Sequence, residues 1–283
     1  MNNFELVLKK YLPLKNNLQS VIYEAMAYSL ENGGKRIRPL LVYEFCKACG
    51  GDEDKAEAYA VAVEMIHTYS LIHDDLPCMD DDDMRRGKAS NHKVYGEANA
   101  LLAGDGLLTL AFEVLTKADL PSENIVRAVS VLSSCAGADG MIGGQIIDLE
   151  NETKDNVPID SLRTMDLLKT GKLIEAACVL GCLAADGSDD MIEAAKVYAS
   201  SIGLAFQIKD DILDVTSSTE ELGKPVGSDK DNNKSTYVSL LGLEESEKLV
   251  VDFTNKAKAS LKIFGDKGSA LSKLADDLAV RRK

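Results

Sequence analysis

The chain of 283 residues carries only six prolines, at Pro13, Pro39, Pro77, Pro121, Pro158 and Pro225, and the long intervals between them limit what it can fold into. Those intervals are rich in Ala, Leu, Glu and Lys, which are good helix formers. Apolar residues recur at helical spacing over 4–31, 39–49, 53–76, 95–117, 122–149, 160–185, 189–215, 244–263 and 268–281. Ser188 ahead of Asp189-Asp190, Ser122 after Pro121 and Asp160 after Pro158 mark helix starts. No run of alternating β-branched residues reads as a strand, and no Pro/Gly/Ser-rich linker divides the chain. The expectation is an all-α fold, one domain over residues 1–283, with helices bundled around a central cavity. Two stretches, 98–114 and 173–185, are apolar on nearly every side. Such helices belong in the middle of a bundle or at a subunit interface.

Lys plus Arg total 32 and Asp plus Glu 46, a net charge of −14. That balance repels a phosphate backbone and argues against nucleic acid as a partner. At first sight it also disfavours small anionic substrates. No uninterrupted apolar run of about 18 residues is present, so no membrane span is expected. Residues 1–13 lack the apolar core of a signal peptide. The six cysteines are too sparse for a disulfide scaffold, which fits a cytoplasmic protein with reduced thiols. Cys46 and Cys49 form a C-x-x-C, and Cys178 and Cys182 lie four apart. Neither pair sits in a Gly-rich knuckle, so small buried thiols are expected rather than a zinc centre.

Two acidic clusters stand out. In the first, Asp74, Asp75 and Asp80 to Asp83 place six carboxylates in ten residues. In the second, Asp210 and Asp214 share a helix face with Gln207. Asp74 and Asp80 are six apart, about 240° round a straight helix. Pro77 between them stops the helix and lets the chain turn Asp80 back towards Asp74. Both clusters follow strongly apolar helices, not polar linkers. Two carboxylates about 4 Å apart repel by about 4 kcal/mol at an effective dielectric of about 20. A hard divalent cation relieves this, and all-oxygen ligation favours Mg²⁺ over zinc.

Cations flank the carboxylates: Lys35, Arg36 and Arg38; Arg85, Arg86 and Lys88; Lys169 and Lys172; and Lys224. His67, Ser70 and Asp74 share a face two turns long. Arg, Lys and a bridging metal together point to polyphosphate recognition. No G-x-x-x-x-G-K-[ST] is present, so this is not a P-loop enzyme. Gly104-Asp105-Gly106 follows no strand, and close helix packing is expected there.

These residues carry a resemblance. Gly34 to Pro39, Tyr69 to Gly87, Gly96 to Phe112, Lys169-Thr170-Gly171, Gly203 to Asp214, Leu222-Gly223-Lys224 and Lys234 to Tyr237 run in the order found in the short-chain trans-prenyl diphosphate synthases. The chain resembles most the bacterial farnesyl diphosphate synthases and their geranylgeranyl relatives. The resemblance implies antiparallel helices around a catalytic cleft, usually in a homodimer. It implies condensation of isopentenyl diphosphate with dimethylallyl and geranyl diphosphates. Asp74, Asp80 and Asp210 then hold three Mg²⁺, with Asp75 and Asp214 nearby. Arg85, Lys169 and Lys224 hold the allylic diphosphate. Lys35, Arg38, His67 and Arg86 hold isopentenyl diphosphate, and the basic end Arg281-Arg282-Lys283 helps to close that site. Lys169, Thr170 and Gln207 act at the reacting centre. Asp82 and Met84 depart from the commoner Asn and Leu of relatives.

Tyr69 lies five residues before Asp74, about 7.5 Å along the helix. A tyrosine there can floor the cavity and stop growth at fifteen carbons, whereas relatives with a smaller residue often reach twenty. Farnesyl diphosphate is the expected product and geranylgeranyl diphosphate the alternative. His73-Asp74 is formally the dyad of an all-α metal phosphohydrolase, but that reading leaves Asp210, Asp214, Lys169 and Gln207 without work.

Overall fold

The computed structural model describes residues 4–12, 15–154, 156–216 and 235–281. The helices are α1 (Phe4–Tyr11), α2 (Ser20–Leu30), α3 (Ile37–Ala48), α4 (Glu53–Asp74), α5 (Asn91–Tyr95), α6 (Glu97–Leu115), α7 (Ser122–Ala136) and α8 (Met141–Glu152). They continue with α9 (Ile159–Asp166), a π turn (Leu167–Gly171), α10 (Lys172–Ala184), α11 (Asp189–Thr216), α12 (Tyr237–Leu241), α13 (Leu243–Ser260), a 3₁₀ segment (Leu261–Gly268) and α14 (Ser269–Val280). The fold is all-α, as expected.

Helix α10 is the axis. Every residue from Ala176 to Ala184 is buried, and α3, α4, α7 and α11 pack around it. The approach of α3 is close enough to require a glycine. A Cβ at Gly181 would lie 2.4 Å from the Val42 carbonyl oxygen and 2.7 Å from Phe45 Cβ. Cys46, Cys178 and Cys182 are buried in the same region, as small apolar side chains. The main apolar cluster draws on residues from Phe4 to Ala275. A smaller one, around Ile208, Ile212, Tyr237 and Val250, joins α11 to α12 and α13.

Four expectations need correction. The run 4–31 is two helices, with Pro13, which lacks an N–H, falling between them. The run 122–149 breaks between α7 and α8 at Gly137 to Gly140, where a Cβ on Gly140 would lie 2.1 Å from the Cys135 carbonyl oxygen. A strand pair does form: Met84–Arg85 (β1) pairs antiparallel with Lys88–Ala89 (β2). Its turn uses Arg86 and Gly87, both at positive φ, the conformation that tight hairpins require. Last, the stretch 98–114 is not covered on all sides. Ala100, Ala103, Leu107 and Ala111 are buried against α2 and α4, but Leu101 and Leu102 are 46% and 54% exposed.

Two runs, Glu97–Leu115 and Ser122–Glu152, are long and apolar enough on average to cross a membrane by length and composition, a property that core helices share. Gly104 serves close packing, as its sequence context suggests: its Cα faces the His73 ring, where a Cβ would lie 2.1 Å from Nε2.

Candidate active site

Helix α4 ends at Asp74, and the chain turns at Pro77 as the sequence implies. The Asp80 amide donates to the Asp74 carbonyl oxygen at 2.8 Å, which brings the two residues together. Burial, with Asp80 and Asp148 close by, raises the Asp74 carboxyl to about 6 against the pull of Lys169. The Gln145 side-chain amide donates to the Asp74 carboxylate. Asp75 points elsewhere. It is buried and takes the Arg85 guanidinium, whose Nε lies 2.8 Å away. Arg85 also reaches Asp82 at 3.1 Å. Thus Arg85 stands beside the first cluster, bound to carboxylates.

The second cluster lies on α11. Asp210 is met by Arg281 Nη2 at 2.7 Å. The same guanidinium sits 3.7 Å over the Phe206 ring and donates to the Phe206 carbonyl oxygen at 2.9 Å. Asp214, one turn on, is buried. Asp211 accepts from the Tyr237 amide at 2.7 Å and so ties α12 to α11. Lys224, Arg282 and Lys283 fall outside the described residues.

Lys169 and Thr170 stand on the π turn. Turns of this kind are single-turn irregularities frequent at functional sites. Lys169 Nζ lies 2.6 Å from Asp148 Oδ2 on α8. Helix α8 comes this close because Gly144 has no side chain: a Cβ there would lie 2.2 Å from the Lys169 amide nitrogen.

Two clefts open here. One is lined by acids, Asp148, Asp166, Asp210 and Asp211, with Lys169. The other is lined by Lys35, Arg36, Arg38, His67 and Arg86. Thr170 and Gln207 line both. In the basic cleft, burial lowers Arg38 to about 10, with Arg86 adding repulsion and Glu64 opposing. Burial and then the nearby arginines hold His67 well below its ordinary value, so its imidazole is neutral. Arg86 packs over Gly34 and donates to the Gly33 carbonyl oxygen.

The sequence reading missed several residues. Arg36 is buried and does not face solvent as a free cation. Its Nη1 meets Glu64 at 2.5 Å, its Nε meets Glu5 at 3.0 Å, and its Nη2 donates to the Leu30 carbonyl oxygen at 2.7 Å. It therefore anchors the loop that carries Lys35 and the start of α3, which carries Arg38. Gln145 and Asp148 each hold one functional side chain, and Asp166 is buried beside Gln207 and Tyr237. Burial raises the Asp166 carboxyl to about 7, with Tyr237 and Gln207 opposing. Gln145 and Asp148 lie one helical turn apart directly after Gly143-Gly144, a signal available in the sequence. His73 is turned towards α6, its Nε2 3.0 Å from the Leu101 carbonyl oxygen. Tyr69 is buried in the main apolar cluster and meets the His73 ring edge-to-face, with centroids 5.6 Å apart.

Residues 19–264 match the family model for polyprenyl synthetase. A farnesyl diphosphate synthase of Micrococcus luteus is 46% identical over 279 residues, 99% of this chain and 94% of that one. The large subunit 1 of a heterodimeric, chloroplastic geranylgeranyl pyrophosphate synthase of Arabidopsis thaliana is 48% identical over 278 residues, covering 96% and 74%. The crystal structure of a geranylgeranyl pyrophosphate synthetase from Pyrococcus horikoshii superposes with a TM-score of 0.90 at 32% identity, covering 99% of this chain and 95% of that one. With acidic and basic clefts meeting at Thr170 and Gln207, the chain belongs to the polyprenyl synthetase family and is a short-chain prenyltransferase.

Proposed function

We propose that the chain condenses isopentenyl diphosphate with dimethylallyl and then geranyl diphosphate to give farnesyl diphosphate. The observation that carries this reading is the wall formed by Thr170 and Gln207, common to an acidic cleft and a basic one. Two diphosphates held on either side of that wall would place their reacting carbons against it.

The carboxylates suit Mg²⁺. Asp74 and Asp80 adjoin, and burial, with Asp80 adding repulsion, raises Asp74 towards neutrality despite Lys169 and Arg85. The donors are all oxygen, as this metal prefers. Asp74, Asp80 and Asp210 would hold the ions, three in all, and Mg²⁺ supplies Lewis acidity at the oxygens of the departing diphosphate. Lys169, Arg85 and Lys224 bind the allylic diphosphate. Lys35, Arg38 and Arg86 bind the isopentenyl diphosphate, and neutral His67 adds a hydrogen bond. As the allylic C–O bond breaks, the Thr170 hydroxyl and the Gln207 amide oxygen face the carbon that becomes positive. They stabilise it without bonding to it. The isopentenyl double bond supplies the electrons of the new C–C bond, and a proton is then lost, with the released diphosphate as its acceptor. No protein nucleophile is required.

Tyr69 on α4 sets the product length as a floor of the growing tail's cavity. The second reading is a geranylgeranyl diphosphate synthase. It draws support from the edge-to-face packing of Tyr69 on His73, which suits a core residue, and from relatives of both names at similar identity. The breadth of the main apolar cluster, from Phe4 to Ala275, supports one domain. The uncovered Leu101 and Leu102 on α6 support a homodimer. The sparse cysteines support a cytoplasmic location. The test is incubation with Mg²⁺, isopentenyl diphosphate and either dimethylallyl or geranyl diphosphate, with the chain length of the product measured. Release of phosphate without any longer prenyl product would overturn the reading.

A further inference from the structure

The proposed reaction leaves Asp81, Asp83 and His92 without a task. One carboxylate oxygen from each aspartate and one ring nitrogen of His92 lie within 4.8 Å of one another. His92 is only 6% exposed, and neither of its ring nitrogens has a hydrogen-bond partner. An imidazole buried with both nitrogens idle is costly. One of them is directed at two carboxylates on the surface.

We propose that Asp81, Asp83 and His92 form a second divalent-cation site, separate from the Mg²⁺ carboxylates and selective for a borderline metal such as zinc. The donor set decides the class. Asp74, Asp80 and Asp210 offer oxygen alone, which suits Mg²⁺. One imidazole with two carboxylates favours zinc and its neighbours, and leaves a fourth position to water. Tetrahedral zinc places ligand atoms about 3.4 Å apart, given metal–ligand bonds of about 2.1 Å. From separations of up to 4.8 Å, the exposed aspartate side chains need close by at most about 1.4 Å. Lys93 Nζ now lies 2.6 Å from one oxygen of Asp83 and serves as the counter-ion that the metal must share or displace. Asp81 and Asp83 precede the β1–β2 hairpin and His92 follows it. A cation there joins both ends of the loop that carries Arg85 and Arg86.

The test is equilibrium dialysis of the full-length protein against Zn²⁺ in excess Mg²⁺, which saturates the all-oxygen ligands. Wild type is expected to retain one more zinc than His92→Gln. In Asp81→Asn the affinity should fall at least about tenfold. Asp74→Asn should retain the zinc, which separates this site from the catalytic metals. Zinc held equally by all variants belongs to the cysteines. Lys93→Met should bind more tightly than wild type. Unchanged or weaker binding in that variant removes Asp83 from the site, and with it the proposal. If His92→Gln does not fold, Asp81→Asn decides, since Asp81 is exposed. A wild type that retains no such zinc, or an Asp81→Asn variant that binds as wild type does, overturns the proposal. Mg²⁺-dependent condensation is measured separately, so failure of this site leaves the proposed reaction standing.

Discussion

The Arg281 guanidinium lies 2.7 Å from the Asp210 carboxylate while stacked over Phe206. A C-terminal cation therefore stands where the proposed third metal needs an oxygen. Arg281→Ala should lower the Mg²⁺ concentration that gives half-maximal turnover by severalfold, because the competing charge is gone. A Mg²⁺ titration at saturating substrates measures it. An unchanged midpoint would show that Arg281 does not compete with the ion.

Removing a metal ligand should do the opposite. Asp74→Ala and Asp210→Ala are each expected to lower kcat by about a hundredfold or more, with circular dichroism unchanged. Turnover close to wild type in either variant removes that residue from the metal site.

Asp148 positions Lys169 at 2.6 Å. Lys169→Ala should reduce kcat by about 10²–10³-fold, the scale for losing one charge-stabilising donor. Asp148→Asn keeps a hydrogen-bonding group and should cost about tenfold. The two effects should not add, since both act through one ammonium group. A double variant much slower than Lys169→Ala alone would give Asp148 an independent role.

Asp166 makes a prediction about stability. Burial raises its carboxyl to about 7 in the folded chain, against about 3.9 when unfolded. Between these values the folded state keeps a proton that the unfolded state has lost. Stability thus falls as pH rises from about 4 to 7 on account of this group. Asp166→Asn removes the effect, so its gain in Tm over wild type should be larger at pH 8 than at pH 5. An equal gain at both would mean that Asp166 titrates normally.

Tyr69→Ala should shift the product from fifteen carbons towards twenty, read by chromatography of the hydrolysed prenols. An unchanged distribution assigns Tyr69 to the core alone.

How far the sequence disclosed this structure depended on whether the cause was local. Pro77 acts on its own neighbours, so the return of Asp80 to Asp74 could be foreseen. Asp210, Asp214 and Gln207 follow from helix spacing alone. Gln145 and Asp148 were harder, because their partners Asp74 and Lys169 are distant in the chain and nothing nearby pairs with them. The buried role of Arg36 was hidden for the same reason, since Glu64 and Glu5 come from other helices. The hairpin escaped because two residues per strand are too few to show a period. The open flank of α6 escaped because periodicity tells which residues are apolar, and not which neighbour covers them.

The π turn at Leu167–Gly171 joins α9 to α10 without ending the helix. Its hydrogen bonds span one residue more than those of the regular spiral on either side. Deleting a single residue there would let α9 and α10 merge into one ordinary helix, a gain in hydrogen-bond geometry. The same deletion would remove the wide turn that sets Lys169 and Thr170 against their clefts and would re-aim both side chains. The irregular turn is thus a place where selection for robustness and selection for chemistry pull in opposite directions, and where a more heat-resistant descendant could lose its reaction in one step.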